Sequence, residues 1–221
     1  MDKIVLLVKF FREEEYADKF LKLGQVYFNV PTIYNESTNN EQGDINEGAE
    51  WIDNTTILSI KVEHPTIGIV ELKPLKTEPS KVIQYNNYYL SFSLFMFTPD
   101  LFDVDDSFRM DSRMIEFGDT AVIIEDPYKF LNSLTKELKN RNIKYEIKRV
   151  TYRDLSTGRV DLTPFDKKQE HSHQHELRVI IENFEDKAKP IDIGSIEHYC
   201  KIVKSSLLTE YPWNINWTKE G

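Results

Sequence analysis

Lys167–Glu182 reads KKQEHSHQHELRVIIE, and the way this stretch folds decides what the rest of the chain is arranged around. Its first half is polar and rich in histidine. Its second half carries Leu177, Val179, Ile180 and Ile181 and closes on Asn183. A short apolar, β-branched run of this kind predicts a strand. If strand geometry reaches back through His171, successive side chains point to opposite faces. His171, His173 and His175 then share one face, and Gln174, Glu176 and Arg178 share the other. Three imidazoles on one face suit zinc, which accepts three such ligands plus water. A glutamate between Gln and Arg suits a charged substrate instead.

Working outward, Tyr88–Phe97 (YYLSFSLFMF) is the most apolar run of the chain. Alternation places Ser91 and Ser93 on one face and Leu90, Phe92 and Leu94 on the other. Small hydroxyl residues on an otherwise bulky strand leave room for a planar ligand or for a packed neighbour. Ile4–Phe11 (IVLLVKFF) predicts a first, buried strand. Its one charged residue, Lys9, either snorkels to solvent or faces a cleft where it would hold a phosphate. Tyr16, Phe20 and Leu23 mark an amphipathic helix over Glu13–Leu23 that stops at Gly24. The strand Gln25–Val30 follows. Asn35–Gly48 is a polar loop in which Asp44 and Glu47 lie near glycines, a setting for ordering either a ligand or a solvated turn.

Further strands are expected over Thr55–Val62, Ile67–Leu72, Lys81–Tyr85, Thr120–Ile124 and Ile143–Tyr152. Thr98–Ser112, with five aspartates, reads as a loop. A helix over about Tyr128–Asn140 opens after Asp126-Pro127 and buries Phe130, Leu131, Leu134 and Leu138. A second helix is expected after Gly194, with Ile196, Tyr199, Val203 and Leu207 inward. Trp213 and Trp217 are expected to tie the tail to the core.

The 221 residues are 40% hydrophobic and 29% charged, enough for a packed core and too apolar for wholesale disorder. A formal net charge of −9 argues against broad capture of duplex nucleic acid or anionic membrane, though not against a local basic cleft. One cysteine, Cys200, leaves no internal disulfide framework and fits a reducing compartment. With no apolar run of membrane-spanning length and no signal-peptide pattern, a soluble cytoplasmic protein is expected. No repeat or linker divides the chain, so residues 1–221 are read as one domain. High strand density without a repeating βα pattern predicts an α+β fold of two packed, mainly antiparallel sheets, peripheral helices and a cleft between the sheets.

In chain order, Lys9 at the end of the first strand, Ser91-Phe92-Ser93 after Tyr88 and Tyr89, and Gln174-His175-Glu176 resemble the signature of the ADP-ribosyltransferase superfamily. That signature is a first-strand Arg or His, an aromatic–Ser–x–Ser strand and an (E/Q)-x-E turn. The chain also resembles a bacterial family of uncharacterised and toxin or phage-defence proteins. Its motifs read here as Lys9-Phe10, Gly24–Asn29, Gly43–Gly48 and Gln174–Arg178. Together the motifs span roughly Lys9 to Ile181. Lys9 stands where the superfamily has Arg or His, and Gln174 where the bacterial family has its first glutamate.

The resemblance implies transfer of ADP-ribose from NAD to a macromolecular acceptor, an RNA or DNA base or a protein side chain. It also implies a role as toxin or phage-conflict effector, with an antitoxin or phage protein as partner. Glu176 would stabilise the oxocarbenium-like ribose, and Gln174 would position the acceptor. Ser91, Ser93 and Asn29 would line the nicotinamide-ribose pocket, with Phe28 or Tyr89 stacking on the ring and Lys9 on a phosphate. Arg178 serves the chemistry or pairs with an acid inside the fold. Two alternatives stay open: a non-catalytic binding or regulatory module on the same scaffold, and a metal-dependent enzyme built on the three histidines.

Overall fold

The computed structural model describes residues 3–35, 41, 43–55, 59–72, 81–86, 88–102, 107–182, 185 and 187–214. The first half holds β1 (Leu6–Phe11), α1 (Glu14–Leu23), β2 (Gln25–Phe28), α2 (Thr32–Asn35), β3 (Ala49–Asp53), β4 (Ile60–His64) and β5 (Gly68–Leu72). Next come β6 (Val82–Tyr85), β7 (Tyr89–Phe97), β8 (Ser107–Phe108), β9 (Thr120–Ile124), α3 (Pro127–Asn140) and β10 (Tyr145–Arg149). The remainder is β11 (Thr151–Arg153), β12 (Arg159–Asp161), β13 (Asp166–Lys168), β14 (Glu176–Glu182), β15 (Lys189–Asp192), β16 (Cys200–Lys204), α4 (Ser205–Glu210) and β17 (Trp213–Asn214).

The chain is a mixed fold of several mainly antiparallel sheets and few helices. The expected pair of packed sheets is replaced by one six-stranded antiparallel sheet, in the order β10-β14-β7-β1-β9-β16, with small satellites around it. The largest satellite is β12-β3-β6. The central strand β7 explains the hierarchy. Nearly all of its residues are buried, because both of its faces are covered.

On one face Leu90, Phe92, Leu94 and Met96 join Leu177, Val179 and Ile181 of β14 under α1 and α3. Phe92 meets Phe20 of α1 and Phe130 of α3 at ring-centroid distances of 6.2 and 6.5 Å. Such pairs add about 0.5–1.5 kcal/mol each beyond burial. Both helices form over the expected spans, but α1 buries Ala17, Phe20 and Leu21, and Tyr16 and Leu23, expected on its apolar stripe, are exposed because the face turned to the sheet is centred on Phe20. Asp126 caps α3 by accepting from the Lys129 N–H at 2.9 Å, with Pro127 in the first turn. Gly24 ends α1 at φ 61°, and a Cβ there would lie 2.2 Å from the Gly194 carbonyl. Only glycine fits both demands. The opposite face is split between an apolar half, with Val8, Phe95, Phe97 and Met114, and a polar half at Ser91 and Ser93.

The pairing of β1 with β7 stops early. Only Leu6–Val8 face Phe95–Phe97, while β1 stays with β9 through to Phe11. The other half of β7 turns instead to Asn29, which exchanges two 2.9 Å backbone bonds with Ser91. A wedge therefore opens between Lys9–Phe11 and Ser91–Ser93. The cleft is a split between two strands of one sheet, and not a gap between two sheets.

Some local expectations are overturned. After Gly194 the chain forms a single 3-10 turn at Glu197–Tyr199 and then β16, which completes the edge of the main sheet beside β9. Sheet pairing along Thr120–Ile124 outweighs the helical spacing of four apolar residues. Ile196 and Tyr199 are buried as expected, but Leu207 is exposed and Leu208 is buried in its place. Ile143–Tyr152 is two strands broken at Val150, and Thr98–Ser112 contains a 3-10 turn at Pro99–Leu101 and the short β8. The strand expected from Thr55 begins at Ile60, with 56–58 outside the described residues. Trp213 packs on Phe97 with centroids 4.6 Å apart; Trp217 lies outside the described residues. Among the described residues no helix is long and apolar enough to cross a membrane.

Candidate functional site

The strand β14 does not extend back through the histidines. Gln169–Gln174 winds into a 3-10 turn, and His175 sits in the left-handed region at φ 37°, with β14 starting at Glu176. The chain has to turn here because β13, just upstream, pairs parallel with β11 in a separate ribbon. The turn scatters the three imidazoles. His171 is buried with Nδ1 3.3 Å from the Gln174 amide nitrogen. His173 faces Glu41 at 2.8 Å. His175 packs edge-on against Phe95 and Phe108. They share no face, and among the described residues no group of three or more His, Cys, Asp or Glu is placed to hold a metal ion.

Beyond the turn, strand alternation holds. Register sets Arg178 opposite Ser93 and Ile180 opposite Ser91, so Glu176, Arg178, Ser91 and Ser93 share the polar half-face. Glu176 Oε1 accepts from the Ser93 hydroxyl at 2.5 Å and from Arg178 Nε at 2.7 Å. Lys167 Nζ donates to Glu176 Oε2 at 3.3 Å and to Gln174 Oε1 at 2.7 Å. The Arg178 guanidinium turns its other edge to Glu47, in two bonds of 2.9 and 3.0 Å, and also reaches the Pro164 carbonyl. All of these charged groups are buried.

Burial pushes the Glu176 carboxyl up, but Arg178 and Lys167, helped by the Ser93 bond, hold it well below the usual carboxylate range. Glu47 moves the other way: burial raises it, and Arg178 only partly offsets that. One guanidinium thus joins two carboxylates of unequal character, and Glu176 is the more firmly ionised.

The wedge is a cleft of about 390 Å³. Of the residues singled out by sequence, Lys9, Asn29, Ser91, Ser93, Gln174, Glu176, Arg178 and Glu47 all line it. Phe28 does not. It is fully buried against Phe92 on the helix side, because β2 turns that face inward. Tyr89 lies behind the cleft, its hydroxyl donating to Glu47 at 3.0 Å and accepting from the Gly48 N–H. Asp44 is buried as a loop organiser, accepting from the Asn46 N–H at 2.9 Å. Gln174 is itself held at both ends, accepting from Lys167 and donating to the Glu41 carbonyl.

Lys9 reaches across the split. Met96 directs its N–H toward β14, so Ser93, an odd number of residues away, turns its backbone toward the missing β1 partner. The Lys9 ammonium takes that carbonyl at 2.9 Å while lying 4.8 Å from the Phe92 ring centroid. Burial lowers its pKa to about 8, with the charge of Glu176 opposing.

Sequence reasoning missed Lys167 and Tyr34. Lys167 stood in the decisive stretch, but nothing in its neighbours marked it as buried. Tyr34, on the cleft wall, is pushed up to about 12 by burial and by Glu47. Its only signal was an aromatic placed just ahead of a polar loop. The lining carries the cations Lys9, Arg12, Lys167 and Arg178 along with the carboxylates Glu47 and Glu176. Such a lining attracts an anion, and a fixed carboxylate at its floor stabilises positive charge developing beside it. Searches of protein-family models, curated proteins and solved structures found no match to this chain.

Proposed function

We propose that the chain is an ADP-ribosyltransferase-like enzyme that takes NAD into the wedge between β1 and β7 and transfers its ADP-ribose to a macromolecular acceptor. The observation that carries this reading is Glu176: an ionised, buried carboxylate pinned by Ser93 and Arg178 at the floor of a cationic cleft. The nicotinamide ribose would lie against Glu176, Ser91, Ser93 and Asn29, with the pyrophosphate toward Lys9 and Arg12. The C1′–nitrogen bond breaks and its electron pair leaves with nicotinamide. The acceptor then bonds to C1′ and loses its proton. Glu176 stabilises the cationic ribose between these events. Gln174, held at both ends, serves as a positioning residue for Lys167 and Glu41. NAD is the co-substrate; an RNA or DNA base or a protein side chain is the acceptor. A toxin or phage-conflict role, with an antitoxin as partner, rests on the family resemblance.

The test is release of nicotinamide from NAD by the purified chain, with transfer of labelled ADP-ribose to candidate acceptors. Glu176→Gln should lower turnover by about 10²–10³-fold, the scale for removing one electrostatic stabiliser, with NAD still raising the melting temperature. Equal turnover in the variant, or no NAD binding by the wild type, overturns the reading. One observation favours the second reading, a binding module: Glu176 already accepts from three protein donors. That reading gains if NAD binds without being cleaved.

A further inference from the structure

The hairpin of β4 and β5 lies apart from the cleft, and its two strands pair only with each other among the described residues. Every residue from Lys61 to Glu71 is exposed, including Val62 at 51%, Ile67 at 73%, Ile69 at 63% and Val70 at 44%. A two-stranded hairpin is marginal in water on its own, and open strand edges invite further strands. Yet its tip is ordered: His64 Nδ1 accepts from the Thr66 and Ile67 N–H groups at 3.2 and 3.3 Å.

We infer that this hairpin is a self-association surface, and that a second copy of the chain docks antiparallel along the edge of β4 that no described strand pairs with. The argument is charge complementarity. A two-fold axis through Val62, the middle of β4, sets Lys61 of one copy opposite Glu63 of the other, and Glu63 opposite Lys61. Val62 meets Val62 between them. The contact is isologous, as closed dimers require. The same operation about Val70, the middle of β5, sets Ile69 against Glu71 and gains no charge pair. Within one hairpin Lys61 already faces Glu71, and Val62 faces Val70. Pairing along β4 therefore yields four strands with two valine pairs continuous on one side and, on the other, rows of Glu71, Lys61 and the second copy's Glu63 that end at its Ile69. This surface is independent of how the cleft is read.

Sedimentation of the purified chain across micromolar concentrations tests it, with wild type expected to show a reversible dimer. Glu63→Lys sets like charges against each other twice and should weaken the dimer by roughly tenfold or more. The triple variant Lys61→Glu, Glu63→Lys, Glu71→Lys restores complementarity both within the hairpin and across the axis, and should regain it. A monomeric wild type overturns the inference. So does a dimer indifferent to Glu63→Lys, or one that the triple variant fails to restore. The melting temperature of each variant at low concentration should match wild type, because the hairpin lies outside the core.

Discussion

The two sides of β7 are built on opposite principles. Toward α1 and α3, Leu90, Phe92 and Leu94 enter a large apolar cluster in which each side chain has many partners and no particular one. Toward the wedge, which Ser91 also lines, Ser93 bonds Glu176, Glu176 bonds Arg178 and Lys167, and Arg178 bonds Glu47, so each charged group has a few specified partners. Apolar contacts are non-directional and share their loss with neighbours, whereas a buried charge depends on particular counter-charges. The first side tolerates change and the second is interdependent.

The largest effect expected of this difference is at Arg178. Arg178→Ala leaves Glu176 and Glu47 both buried without their shared cation, at a cost of about 3–5 kcal/mol in urea denaturation. Adding Glu47→Gln should recover part of that loss, because the two changes touch one network. Strict additivity of the pair would show that the network does not act as a unit. On the helix side, Ile181→Val should cost about 1 kcal/mol and add independently to changes at the wedge. A much larger loss would mean that the two sides are coupled through β14.

Lys9 belongs to both sides, and there the expected effect is smallest. Its folded pKa, about 8, lies below its unfolded value, so the native state sheds the proton first. The cost of its buried charge is therefore full below about 8 and is relieved as pH rises toward the unfolded value of about 10.4. Cys200 and Tyr34, both pushed up to about 12 by burial, lower stability over the same interval in either protein, so the urea midpoint of wild type should rise relative to that of Lys9→Met. Affinity for an anionic ligand in the wedge should fall over the same interval, as the cation is lost. A wild-type profile that matches Lys9→Met would place this lysine in solvent.

Much of the site was legible residue by residue. Period-two alternation in YLSFSLF is enough to separate Ser91 and Ser93 from Phe92, and the apolar run after Glu176 is enough to predict β14. Asp126-Pro127 and Gly24 announce the helix boundaries because capping chemistry is local. The failures share a cause. A shared histidine face requires alternation to continue back through His171, and it stops where β13 leaves for another ribbon. Phe28 was assigned to the ligand because its strand does not disclose which face the helices cover.

Much of the local order is legible along the chain: the strands β1, β7 and β14, the helices α1 and α3, and which side chains in β7 and β14 point together. The tertiary structure alone decided that β1 leaves β7 after Val8, that Lys9 fills the vacated carbonyl of Ser93, and that Lys167 meets Glu176. It also brought Glu47 to Arg178 across 131 positions of chain. Periodicity and capping act over a few residues, so they can be read along a chain. Pairing register and the neutralisation of buried charge are settled between distant segments, where only the folded geometry specifies the partner.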